Sequence, residues 1–376
     1  MAFALTGARV FDGKIFQDGM AVVIDGRYIT QIVMAAELSS SIPRVRLSAG
    51  VLAPGFIDVQ VNGGGGALLN DNPSVETVRR MADAHRKFGT VGLLPTVITD
   101  APHITSAAIS AVREARSAGM PNILGIHVEG PFLDATRKGA HEAQFIREFT
   151  TTDFRQLVKA DCGKLMLTIA PNRVETRDVN ELTNAGILVS LGHSDATYVE
   201  VCAALEAGAT SFTHLFNAMS QFAGRKPGMV GAALSDSNSY LGVIADGHHV
   251  HDVSLRLAFA ATSLDRFMLV SDAMTSAAGG PAEFELQGRS VSRVGNRLTL
   301  ADGTLAGSDI TMVEAVRYCV ERLDVTLADA LRMASANPAR FLGLHDELGL
   351  VAPGALASLV HLDDTLNVTQ TWIEGQ

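Results

Sequence analysis

The middle of the chain repeats one alternation: a short, almost unbroken apolar run, then a longer stretch whose apolar residues fall on one helical face. Eight apolar runs stand out, at 56–61, 90–96, 123–128, 165–170, 187–191, 211–215, 240–245 and 267–270. Between them lie amphipathic segments such as SVETVRRMADAHRKFG and YVEVCAALEAG, each closing on a glycine that suits a helix end. Strands that are apolar throughout belong to parallel sheets covered on both faces. Eightfold strand–helix repetition therefore predicts an α/β fold, a (β/α)8 TIM-like barrel rather than an open doubly wound sheet. The two ends of the chain read differently. The first fifty residues alternate apolar and polar positions, with Asp-Gly turns at 12–13 and 25–26, and the last thirty (LGLVAPGALASLVHLDD, then a strand near 367–373) do the same. The expectation is a small β domain made of residues 1–53 and 346–376, flanking a barrel domain of residues 54–345.

Composition narrows the picture. Of the 376 residues, 47% are hydrophobic and 19% charged, enough for a large core. The formal charge is −10 with no run of Lys or Arg, which excludes a nucleic-acid surface but leaves room for a small anionic substrate. Cys162, Cys202 and Cys319 form no CxxC pair and read as reduced thiols. The opening MAFALTGARVFDGK lacks the pattern of a secretory leader, and no run approaches the ~20 apolar residues that span a bilayer. A cytoplasmic protein without a membrane partner is expected.

Candidate chemistry lies where the apolar runs end. The third run ends in His127-Val128-Glu129, the fifth in Gly192-His193, the sixth contains Thr213-His214, and the eighth ends in Ser271-Asp272. In this barrel all strand C-termini meet at one mouth. Glu129, His193 and His214 together are the two-imidazole, one-carboxylate set of a catalytic zinc site, which leaves coordination positions open for water. Asp272 then stands beside that water as a proton carrier. Taken singly, each residue has a plainer reading: a histidine hydrogen-bonded at a strand end, or a glutamate paired with a core arginine. Four such groups at four strand ends favour the metal, because the plainer reading leaves several buried polar groups to find separate partners. His127, two residues before Glu129, can point into the barrel and support a ligand. The run Asn62-Gly63-Gly64-Gly65-Gly66 permits close backbone approach but lacks a phosphate-loop pattern.

These residues resemble the amidohydrolase superfamily and, within it, the N-acetylglucosamine-6-phosphate deacetylase family. The resemblance runs through PGFIDVQVNGGGG, HVEGPFL, KGAH, LGHSDA, THLFNAM, ADGHHV, VSDAM and DGTLAGS, and continues in the C-terminal NPARFLGL and GLVAPGALASLVHLD. It implies that the flanking β segments form a β-sandwich; Ser358 departs from the family's usual Asp in that region. It also implies a one-metal enzyme, because Gln60 and Asn62 stand where many members carry the His-x-His of a second site, leaving at most vestigial second-metal positions. By the same resemblance, one divalent ion per subunit (zinc, with iron, cobalt or manganese as alternatives) is held by Glu129, His193 and His214. Asp272 is the acid/base and His141 the oxyanion donor. Arg225 and His249 receive the phosphate, with Asn217 and Ala218 nearby, while Ala140 and the Leu305-Ala306-Gly307 loop contact the sugar. The implied reaction is hydrolysis of N-acetylglucosamine 6-phosphate to glucosamine 6-phosphate and acetate, in a homodimer. Two alternatives stay open: the galacto epimer as substrate, and a non-catalytic sugar-phosphate sensor. His248 and His251 read as solvent-facing, without a role.

Overall fold

The computed structural model describes residues 2–376. Its centre is a ring of eight parallel strands, Phe56–Val61, Thr90–Ile98, Gly125–Glu129, Lys164–Ile169, Leu188–Leu191, Ser211–Phe212, Tyr240–Val243 and Phe267–Leu269, numbered here as barrel strands 1 to 8. Each pairs in parallel with the next. Helices such as Val75–Arg86, Pro102–Ser117 and Tyr198–Glu206 pack outside it. The near-total burial of the strands explains their unbroken apolar sequence. Strand 6 ends three residues earlier than its apolar run suggests, because His214 adopts left-handed backbone (φ 33°) that breaks the ladder, whereas strand 5 ends at Leu191 as expected.

The ring closes between strands 8 and 1 through the segment just beyond strand 8. Val61 and Ala273 form a parallel bridge, Asp272 N donates to Gln60 O at 2.9 Å, and Asn62 N donates to Ala273 O at 3.0 Å. Below this seam Asp58 Oδ1 accepts from Gln60 N and Ser271 N. Burial pushes the Asp58 carboxyl up to about 7.

After strand 8 the chain leaves the βα repeat and builds a four-stranded antiparallel sheet, Glu283–Leu286, Arg289–Val294, Arg297–Leu300 and Leu305–Ser308. The sequence reading anticipated no strands here, and Leu305–Gly307, expected as a loop, lies in the last of them. The strands alternate charged and apolar positions. Their apolar side (Leu286, Val291, Leu298, Ala306) packs on Leu68, Ile98 and Met274 at the barrel mouth.

The chain ends meet as anticipated. One sheet orders Phe16–Gln17, Arg9–Phe11, Val51–Pro54, Leu359–Leu362 and Val368–Trp372, joining both termini. A second sheet orders Tyr28–Met34, Met20–Asp25, Phe3–Thr6 and Arg44–Arg46. Leu5, Val10, Val22, Leu52 and Leu359 fill the core between them. Ser358 Oγ accepts from Glu374 N at 3.1 Å, fastening the last turn. Among the described residues, no helix is long and apolar enough to cross a membrane.

Candidate active site

Glu129, the last residue of strand 3, is buried, and two imidazoles converge on one of its oxygens. His193 Nε2 lies 3.1 Å and His214 Nε2 3.0 Å from Glu129 Oε1, and the two nitrogens are 3.0 Å apart. Arg137 O accepts from His193 Nδ1 at 3.0 Å, which places that proton on Nδ1 and turns a lone pair of Nε2 toward the cluster. Burial alone would raise the Glu129 carboxyl, but the imidazoles of His193 and His214 against it hold it well below the usual range. The three donor atoms lie within 4.8 Å of one another, so this nitrogen and oxygen set can hold a metal ion. Neither Glu129 nor Asp272 accepts a hydrogen bond from an arginine or lysine among the described residues. A divalent cation therefore fits both the donors and the charge.

Asp272 follows strand 8 in left-handed backbone (φ 51°), held by its N–H on Gln60 O and by Ser308 N–H on its own carbonyl. Two amides from strand 1 and its extension bind the same carboxylate oxygen: Asn62 Nδ2 donates to Oδ1 at 2.7 Å and Gln60 Nε2 at 3.1 Å. Gln60 Nε2 also lies 3.3 Å from Glu129 Oε2, bridging the two carboxylates. Burial first, and the Glu129 charge second, push the Asp272 carboxyl up; His214, His249 and Asn62 oppose the rise. A carboxyl tuned upward beside a nucleophile site suits proton transfer near neutrality.

A cavity of about 380 Å³ opens over this cluster. Of the anticipated residues, Glu129, His193, His214, Asp272 and Asn62 form its floor, and Ala140, His141, Asn217, Ala218, His249, Leu305, Ala306 and Gly307 its walls. Gln60 sits just beneath. The His141 ring packs against His193 with centroids 4.3 Å apart, and burial keeps it well below its usual pKa, a neutral imidazole. His249 is fixed by Asp246, whose Oδ2 lies 2.6 Å from Nδ1. Arg225 is the exception. It is exposed on the loop before Pro227 and does not line the cavity of its own chain. His251, given no role by the sequence, caps the helix Asp252–Ala261 through its side chain.

With this geometry in view, comparisons with known proteins are decisive. A model of the Amidohydrolase family matches residues 51–376, and one of the NagA composite domain matches residues 2–52. The chain belongs to the amidohydrolase family. It is 43% identical to an N-acetylgalactosamine-6-phosphate deacetylase of Shewanella sp. (strain ANA-3), covering 98% of this chain and 94% of the relative. It is 36% identical to an N-acetylglucosamine-6-phosphate deacetylase of Haemophilus influenzae, covering 100% and 99%. Among solved structures, N-acetylglucosamine-6-phosphate deacetylase from Pasteurella multocida superposes with a TM-score of 0.97 at 33% identity, covering 100% of this chain and 99% of that one.

This amidohydrolase also carries a polar layer of which the sequence marked only His127. Beneath the cluster, Thr96, His127, Thr168, Thr213 and Ser190 form a hydrogen-bonded chain across the barrel, with links of 3.2, 2.7, 2.7 and 2.7 Å. Burial takes His127 down to about 4, so it is neutral and serves as a polar strut. Hydroxyls within apolar strands gave no signal in the sequence.

Replacing Glu129 by Ala is expected to abolish stoichiometric metal binding, as measured by elemental analysis after dialysis against a trace of zinc. Retention of one tightly bound ion per chain would show that the ion sits elsewhere.

Proposed function

We propose that this chain hydrolyses the acetamide of N-acetylglucosamine 6-phosphate, giving glucosamine 6-phosphate and acetate, as a cytoplasmic homodimer with one zinc ion per subunit. Iron, cobalt and manganese suit the same nitrogen and oxygen donors. The observation that carries the reading is Asp272 beside the Glu129–His193–His214 cluster, with one of its oxygens already taken by Gln60 and Asn62. A sugar-phosphate sensor has no use for a proton carrier held in that way. We divide the chain into a small domain of residues 1–53 and 346–376 and a catalytic barrel of residues 54–345.

When bound, the ion supplies Lewis acidity, easing deprotonation of water and polarising the carbonyl. The protein does the rest. No protein donor engages Asp272 Oδ2 among the described residues, and this oxygen takes the proton of the attacking water. The same carboxyl then returns the proton to the nitrogen as the C–N bond breaks, since an amine leaves poorly as an anion. His141, neutral in the cavity wall, donates to the oxyanion that develops on the former carbonyl. Ala140 and Leu305–Gly307 line the sugar's side of the cavity. Asn217, the Ala218 backbone and His249 take the phosphate end. Arg225 reaches a phosphate from a second copy of the chain, which accounts for its exposed position beside Phe222, 66% exposed on the same loop.

The galacto epimer is the second reading, favoured by the 43% identity to a deacetylase of that sugar phosphate. The two sugars differ at one hydroxyl configuration, a difference that the right hydrogen bond can discriminate strongly.

Acetate release from the gluco 6-phosphate, its galacto epimer and unphosphorylated N-acetylglucosamine tests the assignment in one assay. Fast release from the gluco 6-phosphate alone is expected; preference for the epimer selects the second reading, and release from none refutes both. In the same assay Asp272→Asn should lose about 10³-fold in kcat while still binding metal, and near wild-type turnover would remove Asp272 from proton transfer. Arg225→Ala should raise KM for the 6-phosphate roughly ten- to hundredfold, the scale of a hydrogen bond to a charged group. It should barely affect the unphosphorylated sugar, and an equal defect with both would separate Arg225 from the phosphate.

A further inference from the structure

His141 stands on a segment with little structure of its own. Between strand 3 and the helix Thr151–Val158 the chain makes only two short turns, Ala135–Arg137 and Ala143–Phe145. The His141 side chain gains no hydrogen bond at Nδ1, so its position depends on the backbone that carries it. Its own N–H donates to Lys138 O at 3.0 Å, a bond local to the turn.

The fastening comes from the inserted sheet. Arg289 Nη2 donates to Ala140 O at 2.6 Å, and Arg289 Nε lies 2.8 Å from Glu142 Oε1. One guanidinium thus holds the residue before His141 by a hydrogen bond and the residue after it by an ion pair. Arg289 starts the second strand of the sheet. Gln287, two residues earlier, donates to Thr99 O at 2.9 Å and Asp100 Oδ2 at 2.8 Å, just beyond barrel strand 2. The path runs from a barrel strand through Gln287 and Arg289 to both neighbours of His141. Arginine suits this post because its planar fork offers several donors at fixed angles, whereas a lysine ammonium is one mobile point charge.

We propose that Arg289 is a positioning residue, bracing Ala140 and Glu142 so that His141 is held where the oxyanion forms. An oxyanion donor works only when preorganised, and a misplacement of about 1 Å costs on the order of a hundredfold in rate. The bracing follows from the contacts alone; its effect on turnover rests on the deacetylase reading above. The sheet that supplies Arg289 also supplies Leu305–Gly307 to the cavity wall, so one inserted element shapes the sugar's side of the site and anchors the donor.

The test is a double-mutant cycle between Arg289→Met and His141→Asn, with hydrogen–deuterium exchange on the same metal-loaded proteins. Arg289→Met is expected to lower kcat tenfold or more with KM and metal content near wild type, and to add less than twofold in the His141→Asn background. Multiplying losses would show that Arg289 acts independently of His141 and would overturn the proposal. Exchange in residues 138–142 should rise in Arg289→Met while the sheet at 283–308 stays protected. Unchanged exchange there overturns the bracing itself, whatever the substrate. Should Arg289→Met lose the sheet as well, Glu142→Gln removes one arm of the grip alone and should give a smaller change in the same direction, with no change counting against the proposal. Failure to release acetate from any substrate would refute the deacetylase reading, and with it the effect on turnover, while the exchange result still decides the bracing.

Discussion

The site is governed by one electrostatic constraint: two carboxylates, Glu129 and Asp272, share a buried mouth and, among the described residues, no lysine or arginine is hydrogen-bonded to either. Buried charge at this density must be matched, and the surrounding groups answer in order of distance. The imidazoles of His193 and His214 face Glu129, the amides of Gln60 and Asn62 occupy Asp272, and Gln60 spans the gap between the carboxylates. The donor set facing Glu129 can hold a metal ion, and its positive charge would complete this balance. Without that demand, the polar strut from Thr96 to Ser190 across the barrel interior would have nothing above it to support.

Closure of the barrel and placement of Asp272 are the same act. The hydrogen bonds joining Gln60 to Asp272 and Asn62 to Ala273 complete the ring, and the side chains of Gln60 and Asn62 then reach Asp272 Oδ1 across the seam. Amides at these positions carry no charge at any physiological pH, so the wiring of Asp272 is constant where a pair of imidazoles would titrate. The two positions that resemble a lost metal site thus have a use of their own as donors.

The barrel was legible because its strands are buried on both faces and announce themselves as apolar runs, and the four groups at its mouth were legible because strand ends fix where side chains arrive. The three-residue error at the end of strand 6 traces to His214, whose left-handed backbone no apolar pattern encodes. The inserted sheet escaped notice for a different reason. Its segments EFEL, RSVSRV and RLTL carry charge on the solvent side and lie outside the βα rhythm. Arg289 is consequently invisible in sequence: its partners, Ala140 and Glu142, lie about 150 positions earlier and belong to another part of the fold. Arg225 was named from the same motifs, yet it does not line the cavity of its own chain.

His193, His214 and Asp272 all occupy left-handed backbone, which costs a residue other than glycine on the order of 1–3 kcal/mol. The surrounding barrel absorbs that cost. A descendant with asparagine or glycine at these points would shed part of it while keeping every apolar contact of the core. At His193 or His214 the same change would also leave Glu129 buried without a facing imidazole, a loss that outweighs the strain relieved. These imidazoles are therefore retained by folding as well as by chemistry, and a chain that lost them would lose stability along with activity.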